Sequence, residues 1–270
     1  MERVAQRILA PALLAAALGA AAPAAALDFW GTGAKTDTWL CPSFCQDVER
    51  GPFGGGALVD HAESDIVDAR GEAHVVVSLD ASGAIATPRL GASARSDPDS
   101  FLDQGSGKAE AFAVEGYTNV GGTTESWTLD ITLTGEISDP VGSDTVLELV
   151  LVAWGEENFR FSTDKSTLEF EDGVPILDET TFGIYDEATT SVGGSLTFSL
   201  DPGESVYVWA RLRAEAERNG AWADALGTVT MAFDDPTGLQ AASSVPEPAA
   251  GALLGASALA GAAARRRRGR

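Results

Sequence analysis

The chain has 270 residues, 44% of them apolar, which allows one large domain or two small ones around a genuine core. Its 40 acidic and 18 basic residues are unevenly placed, and residues 27–248 hold 39 acids against 11 bases, a net charge of −28. A body this acidic repels phosphate backbones and argues against nucleic-acid binding; it suits solubility, cations or basic partners.

The N-terminus opens with Arg3 and Arg7, followed by an Ala-, Leu- and Gly-rich run over residues 8–22. Pro23-Ala24-Ala25-Ala26 then offers small side chains ahead of Leu27-Asp28-Phe29-Trp30. Basic, apolar and small-residue regions in that order describe a secretory signal peptide over residues 1–26. Ala24 and Ala26 suit the pockets of a signal peptidase that accept only small side chains, so the mature chain is expected to start at Leu27. The bland alternative is an alanine-rich core helix.

Residues 28–56 are rich in Gly and Pro and read as a loop-like cover over one sheet edge. They contain Cys41-Pro42-Ser43-Phe44-Cys45. In an oxidising compartment Cys41 and Cys45 are candidates for a tight disulfide; the rival is a metal site with His61, which lacks evident further ligands. From residue 74 onward the chain reads as strands. Candidates cover residues 74–79, 110–114, 159–162 and 167–170. Trp127, Leu129, Ile131 and Leu133 alternate with Thr128, Asp130, Thr132 and Thr134, the period of a half-buried strand. Residues 146–153 are almost continuously apolar, as in a central strand, and Leu196, Phe198 and Leu200 alternate with small polar residues. Residues 205–215 and 222–233 flank Asn219-Gly220, a hairpin signal because both residues tolerate positive φ. A helix over residues 211–225 is the rival. Short strands with frequent turns predict an all-β chain, an antiparallel β-sandwich for which a jelly roll is one arrangement.

Chemistry-bearing motifs are scarce. His61 and His74 are the only histidines, the first reading as a loop residue and the second as a strand residue. No nucleophile elbow, phosphate loop or zinc-protease motif is present, so no catalytic residue, metal ligand or cofactor is assigned. Calcium is the cation the acidic turns Asp97-Pro98-Asp99 and Asp234-Asp235 would suit, with solvated turns as the alternative.

Residues 234–244 read as a linker, and the tail after them has three parts. Val245-Pro246-Glu247-Pro248 is held extended by its prolines. Residues 249–264 carry no charge and are suited to enter a bilayer as a short transmembrane helix. Arg265, Arg266, Arg267 and Arg268 then stop transfer on the cytoplasmic side. The sixteen uncharged residues span about 24 Å, short of a hydrocarbon core about 30 Å thick. So weak an anchor suits a removable segment; a tail lying on the surface is the other reading.

This tail resembles the PEP-CTERM sorting domain of Gram-negative bacteria. The resemblance covers residues 245–270. It implies processing by an exosortase-like membrane protease, with Pro246, Glu247 and Pro248 as the recognised element and the inner membrane as a transient stop. The runs Tyr207-Val208-Trp209-Ala210 and 233–239 also resemble stretches of such proteins, without bringing an activity. The expected layout is a signal peptide (1–26), an acidic β-sandwich ectodomain (27–233), a linker (234–244) and a sorting tail (245–270). The expected destination is the cell surface or the extracellular space. For the body, two readings stay open: a non-catalytic module binding extracellular polysaccharide, with Tyr207, Trp209 and Trp222 as stacking candidates, and a secreted polysaccharide hydrolase acting through two facing carboxylates.

Overall fold

The structure is a computed structural model, and it describes residues 31–40, 44–50, 61–67, 71–80, 85–97, 105–141, 143–155, 176–227 and 229–244. Fifteen strands run in chain order among these residues: β1 (Gly31–Leu40), β2 (Phe44–Arg50), β3 (His61–Val67), β4 (Gly71–Asp80), β5 (Thr87–Ser96), β6 (Gly105–Asn119), β7 (Glu125–Thr134), β8 (Glu136–Ser138), β9 (Asp144–Gly155), β10 (Asp178–Ile184), β11 (Ser191–Leu200), β12 (Ser205–Glu217), β13 (Trp222–Asp224), β14 (Val229–Phe233) and β15 (Leu239–Ala241). They build a seven-stranded sheet in the order β10-β9-β12-β6-β1-β2 with β15 also on β6, a three-stranded sheet β11-β7-β14, and a five-stranded sheet β3-β4-β5-β13-β8. Every pairing is antiparallel. The chain is therefore all-β and sandwich-like, as its alternation predicts. No helix among the described residues is long and apolar enough to cross a membrane. The signal peptide, Cys41, the candidate strands at 159–162 and 167–170, and the whole tail lie outside the described residues, as does the Cys45 side chain.

Period-2 alternation decides what goes inside. On β9, β12 and β6 one parity of side chains, including Leu147, Leu149, Leu151, Val206, Val208, Leu212 and Tyr117, joins a single core. The two smaller sheets feed the same core through Val75, Val77 and Leu90, and through Leu129, Leu133, Leu196 and Leu200. The expected strand with Trp127, Leu129, Ile131 and Leu133 buried is realised as β7. Its polar parity meets that of β11, where Ser126 bonds Ser199 at 2.5 Å and Thr128 bonds Thr197 at 3.2 Å. The large sheet and the five-stranded sheet meet closely at glycines: a Cβ on Gly107 of β6 would lie 2.3 Å from the carbonyl oxygen of Glu72 on β4, and one on Gly71 of β4 would lie 3.1 Å from that of Ser106 on β6.

Five local expectations are corrected. The described part of the stretch read as a loop-like cover is strand: β1 sits inside the large sheet, where Gly31 and Gly33 lie opposite Val114 and Phe112, and β2 is the strand beside it. His61 opens β3 and pairs with Ser78, so its backbone is not in a loop. Around Asn219-Gly220 the chain does turn with positive φ (67° at Arg218, 55° at Asn219, 71° at Gly220). The strands on either side do not form a hairpin, however. Both edges of β12 are already bonded to β6 and β9, so the chain crosses layers and β13 pairs with β5 and β8 instead. The expected single strand over 222–233 breaks at Gly227 (φ 72°) into β13 and β14, which belong to different sheets. Finally, the stretch read as a linker belongs to the body through Ser244. β1 covers β6 only up to Val114, which leaves the edge at residues 117–119 open for β15. Ala241 and Ala242 are buried there.

Candidate ligand cleft on the five-stranded sheet

On β4, β5 and β13 the inward parity is small and apolar: Ala73, Val75, Ala92, Ala94 and Ala223 are buried. The opposite parity faces away from the core and forms two rows across the strands. Glu72, Arg95 and Trp222 are cross-strand partners in one row; Asp65, His74, Ser93 and Asp224 form the next. Six of these, Glu72, His74, Ser93, Arg95, Trp222 and Asp224, line an open cleft of about 190 Å³. That volume is below the roughly 300 Å³ at which pockets begin to enclose a drug-sized ligand, so the cleft suits a small group or part of a larger molecule lying across it.

Each side chain brings a distinct capability. Trp222 is half-buried and offers an apolar ring face. Arg95 is exposed and carries the fixed fork of a guanidinium. Asp224 is exposed, and its Oδ1 accepts from the Leu226 amide at 3.0 Å, which orients the carboxylate at the start of the turn after β13. The Nδ1 of His74 lies 2.7 Å from the Oδ1 of Asp65. An Nδ1–H donated to that carboxylate leaves Nε2 as the second hydrogen-bonding atom of the ring. Both side chains are well exposed, so the pair orients the imidazole and adds little stability. Together the groups offer stacking, donors and acceptors on a rigid sheet.

Of the three aromatic candidates only Trp222 is accessible. Tyr207 and Trp209 are buried, at 6% and 4% exposure, in a second apolar cluster on the face of the large sheet turned away from the core. Trp209 lies 6.3 Å from the Trp154 ring and 6.5 Å from the Phe112 ring. That face changes character along its strands. Beyond the aromatic end, Lys35 pairs with Asp37 at 2.9 Å and Glu110 at 3.5 Å, Lys108 pairs with Glu110 at 3.1 Å, and Arg211 pairs with Glu148 at 2.8 Å. Burial pushes the Glu110 carboxyl up, but the charges of Lys108, Lys35 and Arg211 outweigh it and hold the group below its usual range.

The other sequence candidates do not converge. Asp97 follows β5, while residues 98 and 99 lie outside the described residues. Asp234 lies beside Asp130, and the hydrogen bond and charge repulsion between the two raise the Asp130 pKa. Asp235 accepts from the Thr237 amide at 2.9 Å, closing its own turn. Among the described residues no group of three or more His, Cys, Asp or Glu side chains is placed to hold a metal. One titratable site escaped the sequence reading altogether. Glu115 is fully buried on the core-facing side of β6, and burial pushes its pKa to about 7. Its Oε1 accepts from the amides of Gly116 and Ser243, both at 3.1 Å, while Oε2 has no partner. No protein-family model matches the chain, and no curated protein matches it.

Proposed function

We propose that this chain is an exported protein, sorted to the surface through its tail, whose sandwich body binds extracellular polysaccharide in the Trp222 cleft. The observation that carries the reading is the order of parts in residues 245–270: a proline-flanked glutamate, a short uncharged segment and an arginine cluster. In this reading residues 1–26 direct export and residues 249–264 anchor the chain in the inner membrane until an exosortase-like protease acts at Pro246-Glu247-Pro248. The body reaches Ser244, so the motif begins one residue after it. A cut there would free or transfer a complete sandwich. The combination of Trp222 with Arg95, Glu72 and Asp224 on one open face supports glycan binding, because a sugar presents an apolar C–H face and a ring of hydroxyls to match.

Replacing Pro246, Glu247 and Pro248 together by alanine tests the sorting half. The variant is expected to accumulate uncut in the inner membrane; normal release of the variant would remove the basis of the proposal. The hydrolase reading keeps a specific foothold, since Glu72 and Asp224 are two carboxylates in one cleft. Register places their Cα atoms two strands and two residues apart, about 12 Å, a separation from which the side chains can converge. Sugar release that is abolished by Asp224→Asn would favour hydrolysis over binding.

A further inference from the structure

We infer that the Trp222 cleft selects uncharged glycans and turns away uronate-bearing ones, an inference that rests on the polysaccharide-binding reading. Charge decides it. The two rows of the cleft and their flanks bring carboxylates from four strands to one face: Asp65 on β3, Glu72 on β4, Asp224 on β13 and Glu136, the cross-strand partner of Asp224, on β8. Among the described residues one permanently cationic side chain faces them, Arg95, and the His74 imidazole beside it is engaged by Asp65. An incoming carboxylate would therefore meet a surplus of negative charge at the cleft, on a body that is itself strongly negative.

A neutral sugar meets no such barrier. Its hydroxyls donate to Glu72 and Asp224 and accept from Arg95, and its C–H face covers the Trp222 ring. The surplus carboxylates then act as selective elements: they serve hydroxyl donors well and penalise anions, which is discrimination through a repulsive feature.

The test uses the full chain purified in a mild neutral detergent. Cellohexaose and xylohexaose serve as neutral probes and hexagalacturonate as the anionic one, followed by calorimetry and by tryptophan fluorescence. The neutral probes are expected to bind, and Trp222→Ala is expected to weaken them by about tenfold or more. Hexagalacturonate is expected to bind at least about tenfold more weakly at low salt, with the gap narrowing as salt screens the cleft. Glu136→Gln should raise hexagalacturonate affinity while leaving neutral binding in place, and because Glu136 is an exposed residue at the flank of the cleft this variant keeps the test independent of any folding defect at Trp222. Hexagalacturonate binding as tightly as the neutral probes would overturn the selectivity while leaving polysaccharide binding intact. Neutral binding indifferent to both Trp222→Ala and Asp224→Asn would overturn this cleft as the site. No binding of any probe would overturn the polysaccharide reading together with the selectivity.

Discussion

Glu115→Gln should flatten the pH dependence of stability between pH 4.5 and about 8. In the folded protein the Glu115 carboxyl is buried on the core-facing side of β6 and titrates near 7, against an ordinary value of 4.5. The folded state therefore holds a proton that the unfolded chain releases. Stability from this group is fully present below 4.5 and is lost as pH rises through about 7. The difference in pKa corresponds to about 3 kcal/mol. Backbone amides of Gly116 and Ser243 favour the anion but touch only Oε1, so the desolvation of the unpartnered Oε2 dominates. A glutamine keeps an oxygen for those amides and removes the charge. Urea unfolding of parent and variant from pH 4.5 to 8 gives the difference directly, and subtraction cancels the general repulsion of an acidic body. The variant is expected to gain on the parent as pH rises, by up to about 3 kcal/mol. Parallel stability curves for the two proteins would refute a buried, proton-holding Glu115.

Two further predictions address packing. Gly107→Ala should destabilise by about 1–3 kcal/mol or more, because the new Cβ meets the carbonyl oxygens of Glu72 and Arg95, backbone atoms that cannot swing aside. Gly122→Ala, where a Cβ meets nothing within 4 Å, is the control and should stay within about 0.5 kcal/mol; thermal unfolding separates them. Leu149→Ala should cost about 2–5 kcal/mol, since Leu149 is fully buried and lies between Phe182 and Leu212 in register; the urea midpoint should fall with an unchanged slope.

The strands that are legible in the sequence are those with one wet face. β7 and β11 alternate cleanly because their polar parity meets solvent, and Thr128, Asp130 and Thr132 announce it. β6 is harder to read because its outward face changes from the ion-paired Lys108 and Glu110 to the buried Phe112 and Val114, so one parity mixes charged and apolar residues while the other lies in the core. β1 is hidden by composition: Gly31 and Gly33 look like turn residues, yet they pair with Val114 and Phe112 inside the large sheet. The hairpin at Asn219-Gly220 misleads for a topological reason, since local turn chemistry is correct while the partner edges are already taken by β6 and β9.

The cleft divides along the same line. Parity alone, counted from Ala73 and Val75, puts Glu72 and His74 outward, and Trp222 stands out as an aromatic. Nothing local says that β5 and β13 lie next to β4, so Arg95, Ser93 and Asp224 could not be joined to them. Glu115 did leave a signal. Continuing the inward parity of Ala109, Ala111 and Ala113 to residue 115 places a carboxyl in the core, an oddity of the kind that marks a special site.

The most direct test of the account is the intact mass of the protein recovered from outside the cells. The account predicts a chain beginning at Leu27 and ending within or beside Pro246-Glu247-Pro248, without the apolar segment or the arginines. Recovery of an outside form that still carries residues 249–270 would contradict it.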